Sequence, residues 1–328
     1  MSVLAAGPAA SIAQAQDSAI GALKFRIASL YPKDLPPGIA LDFFAKRVSE
    51  LSGGKMTAQV FHGGTLYAEN SAIQAVLDGT LDMGLASASN HGPFTKAWNV
   101  VELPYVVDSR QQFRDLFING KIGETLKKET EKDGLRPLMI FETGGFRILH
   151  STRLIKTPAD LANMKTRVPQ SAVPLTFWRT AGANATVISW TETYLALASK
   201  TIDGFDSSFP GSHMAKMGEV AKFITDVKYA SVASLVGVST DWWNKRSPVQ
   251  KEILLKAAKE AEAVSMREEL ISEEKIKNEL RKYGVTIYEP TAAEMQEWRK
   301  VGHSMWKDVP NVSKEILDAI QASAKATK

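Results

Sequence analysis

From Lys24 onward, short apolar runs alternate with longer stretches of helical periodicity. Lys24–Ser29 (KFRIAS), Thr57–Phe61 and Leu81–Ala86 have the length and residue types of strands. Between them, Ile39–Leu51 repeats its apolar positions at helical spacing and stops at Gly53-Gly54, and Ser71–Leu77 does the same before Gly79. Tyr31–Gly38 carries three prolines and reads as a rigid loop. This β-α-β-α-β rhythm predicts an α/β unit with a largely parallel sheet.

Arg110–Asp133 is further helix, and Leu135–Glu142 is a strand expected to be interrupted at Thr143-Gly144-Gly145. A second α/β unit follows. Its predicted strands are Phe146–His150, Lys165–Val168, Ala185–Ile188 and Ile202–Phe205, and its helices Ala172–Ala181 and Trp190–Ala198. Thr157 and Asp160 bracket Pro158 in a capping-box pattern. Phe223–Asp241 reads as one or two strands returning to the first unit. Ser247-Pro248-Val249-Gln250 opens a helix that runs to about Tyr283, and Thr291–Glu294 opens a C-terminal one. The expected domains are 23–145 with a return strand and C-terminal helices from 236–328, and 146–235. Two such units with more than one crossing form a cleft, where small ligands usually sit.

Composition narrows the function. With 44% hydrophobic and 23% charged residues over 328 positions, the chain is globular and long enough for two cores. The formal charge of +4 is small, and no dense basic stripe tracks a phosphate backbone, so nucleic acid is not an expected partner. The chain has no cysteine, which excludes disulfides and thiolate chemistry. Residues 1–22 form an Ala-rich leader in which Ala13-Gln14-Ala15 has the small-x-small form of a secretory cleavage site; it reads as the tail of a signal peptide. No apolar run of membrane-spanning length follows. The five histidines (62, 91, 150, 213 and 303) form no close metal-ligand pair, and neither a nucleophile elbow nor a phosphate loop is present. No metal or cofactor is expected.

The run NMKTRVP, followed by TAGANATVISWTETYLALASKTIDGFDS, resembles the substrate-binding proteins of tripartite ATP-independent periplasmic (TRAP) transporters, the C4-dicarboxylate-binding family. GGTLYAENSAIQAVLDGTLDMG is similar to the same family in its first domain. The resemblance implies a periplasmic binding protein-like α/β fold: two domains, a ligand cleft between them and a long helix spanning both. It also implies a small organic acid as ligand, a membrane permease as partner, a periplasmic location and no catalysis.

Arg167 matches the family arginine that pairs with the ligand carboxylate. A guanidinium offers a planar donor pair to a carboxylate, and in KTRVP Arg167 alternates with Thr166 and Val168. Arg147, twenty residues earlier, matches a second such arginine, with an interdomain ion pair as the structural alternative. Trp190 matches a pocket aromatic, or packs in the core. Glu192 fits a capping box with Ser189 better than a ligand contact. Glu69 matches a position that accepts from ligand hydroxyls, or starts a helix. Where the family usually reads DGQEN, this chain has Asp203-Gly204-Phe205-Asp206-Ser207, so Ser207 replaces a ligand-binding asparagine and leaves a larger or wetter pocket. Asp206 is expected to orient an arginine or bind a hydroxyl. Tyr31, Ser87, Ser89 and Asn90 follow predicted strands and are candidates for the polar end of the ligand. Phe209 and His213 are candidates for the pocket rim. Two other readings stay open: an enzyme acting on a hydroxy acid, which would convert what it binds, and a sensor subunit.

Overall fold

A computed structural model describes residues 20–309, 316–320 and 322, without the side chain of Ile271; the expected cleavage site lies outside the described residues. Its strands are β1 (Leu23–Ser29), β2 (Met56–Phe61), β3 (Met83–Ser87), β4 (Leu135–Phe146), β5 (Ile148–Ser151), β6 (Lys165–Val168), β7 (Asn184–Val187), β8 (Gly204–Ser207), β9 (Phe223–Thr225), β10 (Ser231–Ser239) and β11 (Thr286–Tyr288). They form two sheets, ordered β2-β1-β3-β10-β4 and β11-β9-β5-β8-β6-β7. In the first, β1 runs parallel to β2 and β3, and β10 is antiparallel to β3 and β4. In the second, β6 is parallel to β7 and β8, and β5 is antiparallel to β8 and β9.

The alternation in β1 explains how the first sheet is covered. Phe25 and Ile27 pack with Leu41, Phe44 and Val48 of the helix Pro36–Leu51, whereas Ala28 packs with Ala72 and Val76 of the helix Glu69–Leu77 on the opposite face. Each fully buried side chain of this size contributes about 1.5–3 kcal/mol. Phe44→Ala would therefore leave a costly cavity of the kind worth about 3–5 kcal/mol.

The strand expected to stop at Thr143 instead runs on to Phe146. Between the pairs Glu142↔Ala233 and Phe146↔Ser231, Thr143, Gly144 and Gly145 stand opposite Val232 alone. The glycine pair, at φ 102° and 72°, makes a bulge instead of a break because β10 keeps pairing on both sides of it. A Cβ on Gly144 would meet Pro210 Cδ at 2.8 Å, so that position needs glycine for space as well as for φ; one on Gly145 would displace the Arg110 guanidinium, and there φ is the firmer requirement.

The chain passes between the sheets from β4 to β5, with Arg147 at the junction, and returns between β9 and β10. Arg147 N donates to Ala230 O at 2.8 Å, which ties the two passages together. A third link is the helix Pro248–Lys282, 35 residues long. Its capping box is formed as the pattern predicts: Gln250 N donates to Ser247 Oγ (3.2 Å) and Ser247 N to Gln250 Oε1 (3.1 Å). Leu254, Ala257 and Ala261 lie in the first core, and Ile276 and Leu280 join Ile148, Phe209 and Ile224 in the second. This helix spans both domains. The C-terminal region is shared between the sheets, since β11 pairs with β9. None of the described helices is long and apolar enough to cross a membrane.

Candidate functional site

The C-terminal ends of parallel strands from both sheets converge on the cleft, the usual ligand edge of such sheets. β1 leads to Tyr31, β3 to Ser87 and Asn90, β6 carries Arg167, and β8 carries Asp206 and Ser207. The helices Glu69–Leu77 and Trp190–Ala198 begin at the same place, from opposite domains. Two adjoining pockets result, of ≈ 60 and ≈ 110 Å³; Leu30, Glu69, Asn90, Arg167 and Trp190 line both.

Arg167 is 4% exposed. Its Nε donates to Ile188 O at 2.8 Å and its Nη1 to Asp206 O at 3.3 Å; its guanidinium carbon lies 5.4 Å from the centre of the Trp190 ring. No carboxylate among the described residues forms an ion pair with it. Burial pushes it down to about 10, Asp206 opposes this and Arg147 adds to it. A buried guanidinium held in place by two carbonyls and facing a pocket has donors for an incoming anion and a strong need for one.

Arg147 faces the smaller pocket but has its own counterions. Nη1 donates to Asp206 Oδ1 at 2.6 Å, and Nη2 to Glu102 Oε1 at 3.2 Å and to Ser89 Oγ. Its Nε is buried and finds no partner among the described residues. Burial would lower this guanidinium, but Asp206, Tyr229 and Glu102 more than offset it and raise it. Asp206 is fully buried, and Trp178 Nε1 (2.7 Å) and Tyr229 OH donate to its other oxygen. Of its two expected uses, the structure therefore supports orienting an arginine.

The first domain supplies the facing wall. Glu69 Oε1 accepts from Ser87 N and Oε2 from Asn90 Nδ2, both at 2.7 Å. Burial raises the Glu69 carboxyl, while hydrogen bonds from Ser87 and the charges of Arg167 and Arg147 oppose it. Tyr31 OH lies 3.3 Å from Ser234 Oγ, and burial beside Glu69 pushes it up to about 12, so it remains a hydroxyl donor. Ser207 lines the smaller pocket, where a Cβ on Gly211 would collide with its Oγ.

Three predicted residues lie elsewhere. Ser89 is buried behind the pocket, donating to Glu102. Ser208 caps the helix Phe209–Met214, so Phe209 turns into the core beside Ile148 and Leu280, and Met214, not His213, reaches the pocket. The Ser189–Glu192 capping box is not made: Ser189 Oγ bonds Thr191 Oγ1 at 3.0 Å, and Glu192 is exposed. Pro169, Ser208 and Gly211 line the pocket without having been anticipated.

Glu102 is the most important residue missed. Its carboxylate binds Arg147 and also accepts from Ser171 Oγ at 2.9 Å, joining the two domains. A lone carboxylate in the apolar run WNVVELPYVV was the available signal, because a charge is buried there only with partners. Asn70 Nδ2 donates to Gln170 Oε1 across the cleft mouth, a second bond between domains. Among the described residues, no three His, Asp or Glu side chains stand together as metal ligands.

Comparison with known proteins agrees with this geometry. The family model "Bacterial extracellular solute-binding protein, family 7" matches residues 27–311. The C4-dicarboxylate-binding periplasmic protein DctP of Vibrio cholerae is 27% identical over 289 residues, 88% of this chain and 86% of that protein. The 2,3-diketo-L-gulonate-binding periplasmic protein of Escherichia coli is 27% identical over 250 residues, 76% of each chain. A crystal structure of a sugar acid binding protein from Advenella mimigardefordensis, in complex with galactonate, superposes with a TM-score of 0.88 at 25% identity, covering 94% of this chain and 100% of that one. Family, fold and cleft agree, and the chain belongs to the bacterial extracellular solute-binding proteins of family 7, the solute-binding components of TRAP transport.

Proposed function

We propose that this protein captures a small organic acid in the periplasm, through an ion pair between the acid's carboxylate and Arg167, and delivers it to a membrane permease. The observation that carries this reading is a buried cation on the cleft with no ion-pair partner among the described residues. A carboxylate would supply the missing charge and accept from the guanidinium edge, and Trp190 would shield the pair from water. Arg147 lines the same pocket, but Asp206 and Glu102 already compensate its charge. Tyr31, Ser87, Asn90, Glu69 and Ser207 are in position to meet the rest of the ligand.

Closure would follow from the bonds between domains. Asn70 with Gln170 and Glu102 with Ser171 join the two walls of the cleft, so opening must break them and ligand binding favours the joined state. The permease would then read that state. Such a cycle requires no bond in the solute to break.

The test is a thermal shift across a panel of organic acids, after carried-over ligand is removed by partial unfolding. An acid at one hundred times its Kd adds about 2.7 kcal/mol of apparent stability, visible as a rise of a few degrees. A carboxylate should raise Tm where its neutral amide does not, and the acid should be recovered unchanged. Equal response to acid and amide would remove the ion pair from the proposal; a converted acid would revive the enzyme alternative.

A further inference from the structure

The apolar stripe of the helix Pro248–Lys282 is broken where the helix passes from one domain to the other. Leu254, Ala257, Ala261 and Val264 pack in the first core, and Ile276 and Leu280 in the second. Between Val264 and Ile276 the buried residues, among those described, are Ser265 and Glu269. The Glu269 carboxyl accepts from the Gly144 N–H, in the bulge that precedes the β4–β5 passage. Two of the three links between the domains therefore meet at this carboxyl.

Its charge is poorly matched. Three carboxylates share Arg110: Glu142 at 2.8 Å, Glu273 at 3.1 Å and Glu269 at 4.0 Å. Glu142 has a second cation in Arg114, and Glu273 has one in Lys277, each at 2.9 Å. Glu269 has no second cation among the described residues, and its buried Oε2 has no hydrogen-bond partner there. The other surrounding elements bring none: β4 supplies Glu142, the loop after β1 supplies Tyr31, and His213 of the helix Phe209–Met214 acts on Glu279 instead. Burial, with Arg110 opposing and Glu142 adding, raises Glu269 to about 8. The bulge also reaches the pocket, since Thr143 Oγ1 lies 3.1 Å from Ser234 Oγ, which lies 3.3 Å from Tyr31 OH.

We propose that Glu269 is a proton-controlled latch between the domains: the joined arrangement holds it protonated, and its ionisation favours the open cleft. Parting the domains moves the bulge against the helix, takes the Gly144 N–H away and admits water, which solvates the ionised carboxylate and not the buried one. A proton on Glu269 removes one of the three negative charges on Arg110 and so favours closure. The inference rests on the reading that the cleft opens and closes, and not on the Arg167–carboxylate pair.

Distances between spin labels on the full chain test it. The chain has no cysteine, so Asp78→Cys and Ser199→Cys place one label on an exposed site of each domain. In the ligand-free protein the short-distance population should fall as pH rises from about 6 to about 9, by at most about tenfold per unit, the limit for one proton. Glu269→Gln should stay joined across that range. Asp226→Asn, which removes a buried carboxylate beside the β9–β10 passage with Lys228 at 3.3 Å, should follow the parent. A parent population unchanged by pH overturns the proposal without any variant. So does Glu269→Gln titrating like the parent, or Asp226→Asn losing the response. If succinate or galactonate draws the labels together but pH does not, closure stands and the latch falls. A single separation in every sample, with either acid or without, removes both.

Discussion

Arg147 and Arg167 are 5% and 4% exposed and lie near the same pocket, yet they are in opposite electrostatic situations. Arg147 is held by two carboxylates and a serine, and its charge is strengthened. Arg167 is held by two carbonyls, and burial drives it down to about 10. A buried charge normally has a partner in the fold. One arginine therefore belongs to the framework that joins the domains, and the other is the one the proposed function leaves for the ligand. Family resemblance matched both to the ligand, with an interdomain ion pair as the alternative for Arg147; Asp206 and Glu102 supply that ion pair.

The largest expected effect breaks the framework side. Arg147→Ala leaves Asp206 and Glu102 buried without their cation, a change that typically destabilises by about 3–5 kcal/mol. Urea denaturation of the ligand-free protein should show that loss. A variant as stable as the parent but unable to bind acid would place Arg147 with the ligand and erase the contrast.

The next effect breaks the ligand side. Arg167→Gln should weaken carboxylate binding by about 2–5 kcal/mol, the range for truncating one partner of a buried charged pair. Stability without ligand should not fall, because the guanidinium removed is an uncompensated buried charge. Calorimetric titration and denaturation of the same preparation read both quantities. A large loss of unliganded stability would mean that Arg167 is also a framework residue.

Much of this was readable along the chain, for a physical reason. Strands, caps and the long helix are set by near neighbours, so the Ser247–Gln250 box and the run to Lys282 follow from local pattern. Arg167 was singled out by family resemblance, with its place between Thr166 and Val168 on a strand as support. Glu102 was not assigned, because its partners Arg147 and Ser171 come from the other side of the cleft and far along the chain. Phe209, expected at the pocket rim, lies in the core as the first residue of the helix that Ser208 caps. Ser189 shows the converse: a correct capping spacing was overridden when its hydroxyl found Thr191.

Trp190 sharpens the contrast more gently. Its ring covers Arg167 at 5.4 Å and meets Phe205 edge-on at a centroid distance of 6.0 Å, so it packs on the pocket arginine and the core together. Trp190→Ala should weaken binding of the acid by about 1–2 kcal/mol, through loss of cation–π and shielding, while Trp190→Phe keeps most of it. Equal affinity in all three proteins would reduce the tryptophan to packing.

The smallest effect concerns carboxylates on the spanning helix with weaker partners than Asp206 and Glu102 have: Glu269 is paired with Arg110 only at 4.0 Å. Glu262 accepts from Ile140 N at 2.8 Å and Glu269 lies beside the glycine bulge; burial raises them to about 7 and about 8, with Arg110 opposing the shift at Glu269 and Glu142 and Glu273 adding to it. Lys127 and Lys259 oppose the shift at Glu262, and Glu124 adds to it. Because the folded values lie above the unfolded ones, the unfolded chain gives up its protons first. Stability is then full below the ordinary carboxylate range and declines as pH rises toward about 8. Buried His91 and His150, each lowered to about 4 from 6.5, act in the opposite sense and add stability as pH rises to 6.5. An unfolded histidine is still half-protonated at 6.5, so that gain runs on to about 7.5, and the window from about 7.5 to about 8.5 isolates the helix carboxylates from the histidines. There the parent should lose about 1 kcal/mol, and Glu262→Gln with Glu269→Gln should flatten the curve. A parent whose stability rises through that window would mean the spanning helix holds these carboxylates as firmly as Arg147 holds Asp206.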